Sequence, residues 1–247
     1  MERSIAVYHD EGTGVFSRGA LIEALAQHYS GRARVRRIFA AEIAASDRWH
    51  DSTQLLAIPG GADAPYVARL SGAGNASIRR YLEGGGALFA VCAGAYYTAA
   101  RVSFEAASPR ELTGSRELAL FCGTARGSLH ELAEPYAVEH LRCADVVPLR
   151  AAGHTDRLHA LYWGGPELVP DPGSSHVPLL WYELAERREA LAALRVEVGR
   201  GRAVLTGVHA CPMNRCTFRW EVLMRPYLSS SLEKRAVSSI MPLRIAS

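Results

Sequence analysis

The chain lacks any apolar run near the twenty or so residues that a membrane span requires, so no membrane association is expected. Met1-Glu2-Arg3 leads straight into a strand-like segment with no signal-peptide core, and a cytoplasmic location is expected. It has no internal repeat and no low-complexity tract, which excludes solenoid and linker-dominated architectures. Charge of one sign is also scarce: 28 Lys and Arg stand against 25 Asp and Glu, for a net +3. The densest basic cluster, Arg32, Arg34, Arg36 and Arg37, alternates as the solvated side of an edge strand does. Nucleic acid is therefore not an expected partner. Five cysteines, an odd number at irregular spacing, do not make a secreted disulfide framework and suit a reducing compartment. His209, Cys211 and Cys216 are close in sequence but lack the second paired motif that zinc sites usually show. No metal and no cofactor are expected.

What the chain does have is an abrupt junction. Ala87-Leu88-Phe89-Ala90-Val91 is an apolar strand, Cys92 ends it, and Ala93-Gly94-Ala95 opens an alanine-rich segment, 93–101, with good helix propensity. Gly84-Gly85-Gly86 stops the helix before the strand. Strand, sharp turn and helix with small flanking residues form the thiol version of a nucleophile elbow, with Ala90 in place of the first glycine. The helix that follows should aim its positive end at the sulfur and lower the thiol pKa. A free cysteine after an apolar strand also serves as a small core hydrophobe, so a chemical role needs a partner.

The first hundred residues alternate strand and helix about four times: strands at 4–9, 33–39, 54–58 and 87–91, with helical patterns at 15–29, 40–46, 64–70 and 75–83. Asn75 sits where the last of these needs a cap. The connection rules make this a parallel sheet with its ligand crevice beyond the strands' carboxyl ends. The third strand ends on Pro59-Gly60-Gly61-Ala62-Asp63, whose bare amides can bind an oxyanion at the edge that carries Cys92. After residue 103 the alternation fails. Short β-rich pieces at 118–121, 136–141, 158–163 and 177–184, between Gly/Pro turns, read as antiparallel additions to the sheet. A hairpin at 194–208, turning at Gly199-Arg200-Gly201-Arg202, delivers His209, and a last helix at 217–228 precedes a Ser-rich tail. His154, His159 and His176 fall in β-rich turns and read as polar surface residues.

An elbow cysteine and a histidine at the end of an apolar strand are the pair that thiol acyl-transfer chemistry needs, because imidazole takes the thiol proton and returns it to the leaving group. The segments Ile58-Pro59-Gly60-Gly61-Ala62-Asp63, Gly84-Gly85-Gly86, Val91-Cys92-Ala93-Gly94-Ala95-Tyr96-Tyr97 and Leu205-Thr206-Gly207-Val208-His209 closely resemble the class I glutamine amidotransferase-like domain at the amino terminus of eukaryotic-type biotin-protein ligases, and its free-standing bacterial relatives. The similarity runs from about Ile5 to His209.

That resemblance implies a flavodoxin-like three-layer α/β sandwich, mostly parallel with antiparallel additions, as a single domain over 1–230 with a tail at 231–247. It makes Cys92 the nucleophile and His209 its base. It places Gly60, Gly61, Ala93 and Gly94 at the oxyanion and substrate-binding positions, with the amides of Gly61 and Ala93 as the oxyanion hole. The implied activity is cysteine-dependent acyl transfer or hydrolysis on a small-molecule, amide-type substrate. Where such enzymes carry Pro-Glu after the histidine, this chain has Ala210-Cys211, so no carboxylate orients the imidazole from there. Cys211 is then a candidate second thiol, and a redox role with Cys92 is one alternative. The other is a non-catalytic ligand-binding or regulatory domain that has lost the third triad residue and associates with a biotin ligase or synthetase.

Overall fold

The computed structural model describes residues 4–134, 143–153, 157–185 and 190–210. The first half runs β1 (Ser4–Tyr8), α1 (Val15–His28), β2 (Arg34–Ile38), α2 (Ala40–Ala45), α3 (Arg48–Ser52), β3 (Thr53–Ile58), α4 (Asp63–Leu70), α5 (Ala73–Glu83), β4 (Ala87–Val91) and α6 (Ala93–Thr98). The rest is strand: β5 (Ala99–Phe104), β6 (Leu112–Ser115), β7 (Phe121–Gly127), β8 (Ala144–Ala151), β9 (Leu158–Trp163), β10 (Glu167–Pro170), β11 (Val177–Tyr182), β12 (Leu191–Val198), β13 (Gly201–Thr206) and β14 (Val208–His209).

The fold is α/β, built on a large mixed sheet of ten strands ordered β14-β9-β8-β11-β12-β13-β4-β3-β1-β2. The ladders β2-β1, β1-β3, β3-β4 and β4-β13 are parallel. Every ladder from β13 outward to β14 is antiparallel. The expectation of a mostly parallel sheet is thus corrected to a mixed one. Strands β1 and β4 are buried along their whole length, which is why their sequences are continuously apolar instead of alternating. The residues of β1, β3 and β4 divide between two cores. Tyr8, Leu56, Leu88 and Ala90 pack with α2 to α6 on one face. Val7, Ala57, Phe89 and Val91 pack with Leu21 and Leu25 of α1 on the other. The arginine-rich β2 is an edge strand, and Arg36 pairs with Glu42 at 2.8 Å.

Two further expectations give way. The segment after Cys92 is helical only to Thr98, because from Ala99 the chain enters β5 of a second, four-stranded sheet ordered β10-β7-β5-β6. Phe121, at the end of the expected 118–121 addition, begins β7 in that second sheet and does not extend the main one. Asn75 lies inside α5, whose cap is Gly72; its amide donates to Glu117 at 2.7 Å, and its carbonyl accepts from the Tyr97 hydroxyl. The expected strand at 136–141, the helix at 217–228, His154, Cys211 and Cys216 lie outside the described residues. His159 and His176 are half-buried. No described helix is long and apolar enough to cross a membrane.

The Gly164-Gly165-Pro166 loop after β9 is held by tyrosine hydroxyls: Tyr96 donates to the Gly164 carbonyl at 3.1 Å, Tyr162 to Gly165 at 3.1 Å and Tyr182 to Pro166 at 3.0 Å. Removing one hydroxyl strands a buried carbonyl, which costs about 1–3 kcal/mol. Replacing Tyr182 with Phe should lower the unfolding free energy by that amount, read as a lower denaturant midpoint with an unchanged slope. A loss below a few tenths of a kcal/mol would show that the loop finds another donor.

Candidate active site

Cys92 has φ 50° and ψ −105°, a backbone conformation that residues with a side chain seldom adopt. The turn is fixed from both sides: the Cys92 amide donates to the Thr206 carbonyl of β13 at 2.8 Å, and its carbonyl accepts the Ala95 and Tyr96 amides of α6 at 2.9 and 3.0 Å. The next helix must then pass very close to β3. A Cβ on Gly94 would lie 2.5 Å from the Ile58 carbonyl oxygen, so only glycine permits this elbow. Gly94 acts here through that close approach and does not line the adjacent cavity.

Gly60 plays a comparable part from the opposite side. A Cβ there would lie 2.6 Å from Cε1 of His209, 2.8 Å from the Ser17 hydroxyl oxygen and 3.1 Å from the Cβ of Cys92. The missing side chain is the space into which the cysteine, the histidine and the serine converge. Beyond it, the amides of Ala93 and Gly61 both face the Cys92 sulfur closely enough to favour its charged form. Two donors from two different turns therefore meet at one point beside the thiol.

His209 reaches this point by a short detour. After β13 the chain turns at Gly207, and Val208 and His209 pair with Tyr162 and Leu161 of β9. That pairing sets the imidazole beside the last residue of β9, Trp163. Nε2 of His209 lies 3.4 Å from the Trp163 carbonyl oxygen, and the Cys92 Sγ donates to the same oxygen at 3.5 Å. On the other side of the ring, Nδ1 lies 3.1 Å from the Ser17 hydroxyl, which also accepts the Gly60 amide at 2.9 Å. A carbonyl can only accept, so Nε2 carries the proton, and the Ser17 hydroxyl donates to Nδ1. Burial pushes the His209 pKa down to about 4. The imidazole is neutral.

The thiol departs from expectation. Burial pushes the Cys92 pKa up to about 12, and the Ala93 and Gly61 amides offset only part of this. The lowered pKa expected from the helix is therefore corrected, and magnitudes say why. A helix terminus contributes about 1 kcal/mol at most in an ordinary setting, and α6 has only six residues. A rise from about 9 to about 12 corresponds to about 4 kcal/mol.

A cavity of about 450 Å³ opens from the sulfur. Cys92, His209, Gly61 and Ala93 line it, together with Phe16, Asp63, Phe104, Leu112 and Trp163. Among the described residues no group of three or more His, Cys, Asp or Glu side chains could hold a metal ion. Sequence reading missed Ser17 and Trp163. Ser17 lies 192 positions from His209 on an ordinary helical face, and Trp163 contributes a backbone atom that any residue could supply.

This geometry defines an α/β protein with a cysteine elbow at the carboxyl edge of the parallel strands, and solved structures share its fold. A glutamine amidotransferase from Thermotoga maritima is similar with a TM-score of 0.52 at 11% identity, over 96% of this chain and 86% of that one. A β-galactosidase from Rahnella sp. R3 is similar with a TM-score of 0.54 at 13% identity, over 92% of this chain and 31% of that one. The family described as biotin-protein ligase, N terminal, matches residues 3–223, and the chain belongs to it. An uncharacterized protein of Chlamydia muridarum is 32% identical over 208 residues, 83% of this chain and 79% of its own length. A biotin–protein ligase of Schizosaccharomyces pombe is 29% identical over 163 residues, 65% of this chain. The match spans only 26% of that ligase.

The buried neutral imidazole makes stability depend on pH. Above the ordinary histidine pKa of about 6.5 both folded and unfolded forms are neutral. Below it the unfolded chain takes a proton that folded His209 refuses until about pH 4. Stability should therefore fall by about 2 kcal/mol between pH 7 and pH 5 from this group alone. Chemical denaturation at both pH values should show His209→Asn losing about 2 kcal/mol less across the interval; equal losses would contradict the assignment. Thiol labelling offers an independent check. Exposed Cys122 should be alkylated by iodoacetamide at neutral pH well before buried Cys92, and the order can be read by peptide mapping.

Proposed function

We propose that this protein performs cysteine-dependent acyl transfer or hydrolysis on an amide-type substrate, with Cys92 as nucleophile and His209 as its base. The domain would be a flavodoxin-like three-layer sandwich spanning 1–230. The parallel block, ordered β2-β1-β3-β4-β13, supports this, since it has the strand order of flavodoxin-like sheets with helices on both faces. The observation that carries the functional reading is that Cys92 and His209 meet on one carbonyl oxygen, at 3.5 and 3.4 Å, with the Ala93 and Gly61 amides facing the sulfur and favouring its charged form. Donors in that position can stabilise the oxygen of a carbonyl under attack by the same sulfur, typically by several kcal/mol.

The reaction begins from a neutral pair. As Sγ forms its bond to the substrate carbonyl carbon, the thiol proton passes to Nε2 of His209, and negative charge develops on the oxygen between the two amides. For Nε2 to accept, its resting proton must move to Nδ1. The Ser17 hydroxyl serves both forms of the ring, because it can donate to bare Nδ1 or accept from Nδ1–H. The carbon–nitrogen bond then breaks, the leaving amine takes the proton from Nε2, and a thioester remains on Cys92. Water or an amine releases the acyl group and restores the thiol. With no thiolate at rest, turnover should be slow at neutral pH and increase with pH.

A second reading rests on the raised thiol pKa and on an imidazole that no carboxylate orients among the described residues. It is a non-catalytic domain that binds a small molecule in the same cavity and associates with a biotin ligase or synthetase. Intact-mass spectrometry after exposure to an activated ester, 4-nitrophenyl butyrate, separates the two. An acyl adduct on Cys92 that decays with time, and is absent from Cys92→Ala, is expected. No adduct at any pH from 6 to 10 would favour the binding domain.

A further inference from the structure

We propose that the site takes an uncharged, apolar acyl group and discriminates against the amino-acid head of glutamine. This deepens the acyl-transfer reading and rests on it. The walls of the cavity, beyond the sulfur and the two amides, include Phe16, Ala62, Ala64, Phe104, Leu112 and Trp163. Phe16 packs against Trp163 with ring centroids 5.9 Å apart, yet remains 41% exposed, and its neighbour Val15 is 77% exposed. Both belong to the cavity lining. Large apolar side chains left in water at the lip of an apolar cavity gain by being covered by an apolar ligand.

The polar side chains that line the cavity are already engaged. Ser17 holds His209 and the Gly60 amide, and the Tyr96 hydroxyl donates to the Gly164 carbonyl. The one charged lining residue among those described, Asp63, takes both Nε and Nη2 of Arg116 at 2.9 and 2.7 Å. That pair is closed off from solvent, with side chains 6% and 8% exposed. Its charges cancel each other. A glutamine bound through its side-chain amide would bring an α-ammonium and an α-carboxylate into this space. Among the described lining residues the α-carboxylate would find no cation, and the α-ammonium only an Asp63 whose charge Arg116 already balances through Oδ2; desolvating a poorly paired charge is among the largest penalties in recognition. A ligand with an alkyl or aryl body meets no such penalty, and about 450 Å³ is within the range of small-molecule pockets.

Two experiments on the full chain test this. The first compares two amides with acyl chains of equal length, pentanoyl-4-nitroanilide and γ-glutamyl-4-nitroanilide, by release of 4-nitroaniline. The uncharged substrate should be favoured by about a hundredfold in kcat/KM, and Phe16→Ala should lower its value by about tenfold. Equal or preferential cleavage of the γ-glutamyl compound would overturn the proposal while leaving acyl transfer intact. The second needs no turnover. Calorimetric titration of Cys92→Ala with hexanamide and with L-glutamine should show binding of hexanamide at least tenfold tighter. Tighter or equal binding of glutamine, or binding of neither, would overturn the proposal. Should neither anilide be cleaved while hexanamide binds selectively, the selectivity stands and the catalytic reading fails.

Discussion

The site depends on one acceptor, the carbonyl oxygen of Trp163, which the Cys92 thiol and the His209 imidazole share. A carbonyl cannot be titrated and has no rotamer, so its position is set entirely by the backbone on either side. Before it lies β9, paired with β8 and β14. After it lies the Gly164–Pro166 loop, each of whose carbonyls is bonded by a buried tyrosine. Those phenols come from α6, β9 and β11. Helix and antiparallel strands thus meet at an atom that carries no side-chain identity.

The resting state that results is neutral. Burial disfavours the thiolate and the imidazolium together, and a single proton transfer between them creates two charges where none stood before. Charge separation in a dry site is costly unless dipoles are already aligned to receive it. The amides of Gly61 and Ala93 are aligned on the sulfur side. On the histidine side there is a hydroxyl where a carboxylate would be stronger. That asymmetry is the physical content of the missing glutamate after His209.

The inner strands of the parallel block were legible in the sequence because burial on both faces leaves continuous apolar runs such as Leu55-Leu56-Ala57-Ile58, and the elbow because small residues crowd around Cys92. The second sheet was not legible. Ala99 and Ala100 have high helix propensity, and it is the pairing of Ala99 with Phe121 of β7 and the Arg116 amide on the Ala100 carbonyl that draw them into a strand. Cys92 and His209 could be singled out by residue type and local pattern, and Gly60 and Gly61 by the turn they make. Ser17 could not, because a serine on a helix face says nothing about an imidazole far away in sequence. The direction of the thiol shift was also beyond sequence reading, since burial at the elbow is a property of the whole fold.

Strands β13 and β14 are separated by Gly207 alone, yet β13 lies in the middle of the ten-stranded sheet and β14 at its edge. Going outward from β13 through β12, β11, β8 and β9, the ladder returns to β14, so the antiparallel half is a hoop whose seam is one residue wide. The seam has no slack: a Cβ on Gly207 would lie 2.1 Å from the Pro166 carbonyl oxygen and 2.2 Å from the Tyr182 hydroxyl. His209 sits on the seam and Cys92 on the rigid parallel block beside it. The distance between Cys92 and His209 is therefore set by the circumference of the hoop, and a strand slipping anywhere around it would change that distance without touching either residue.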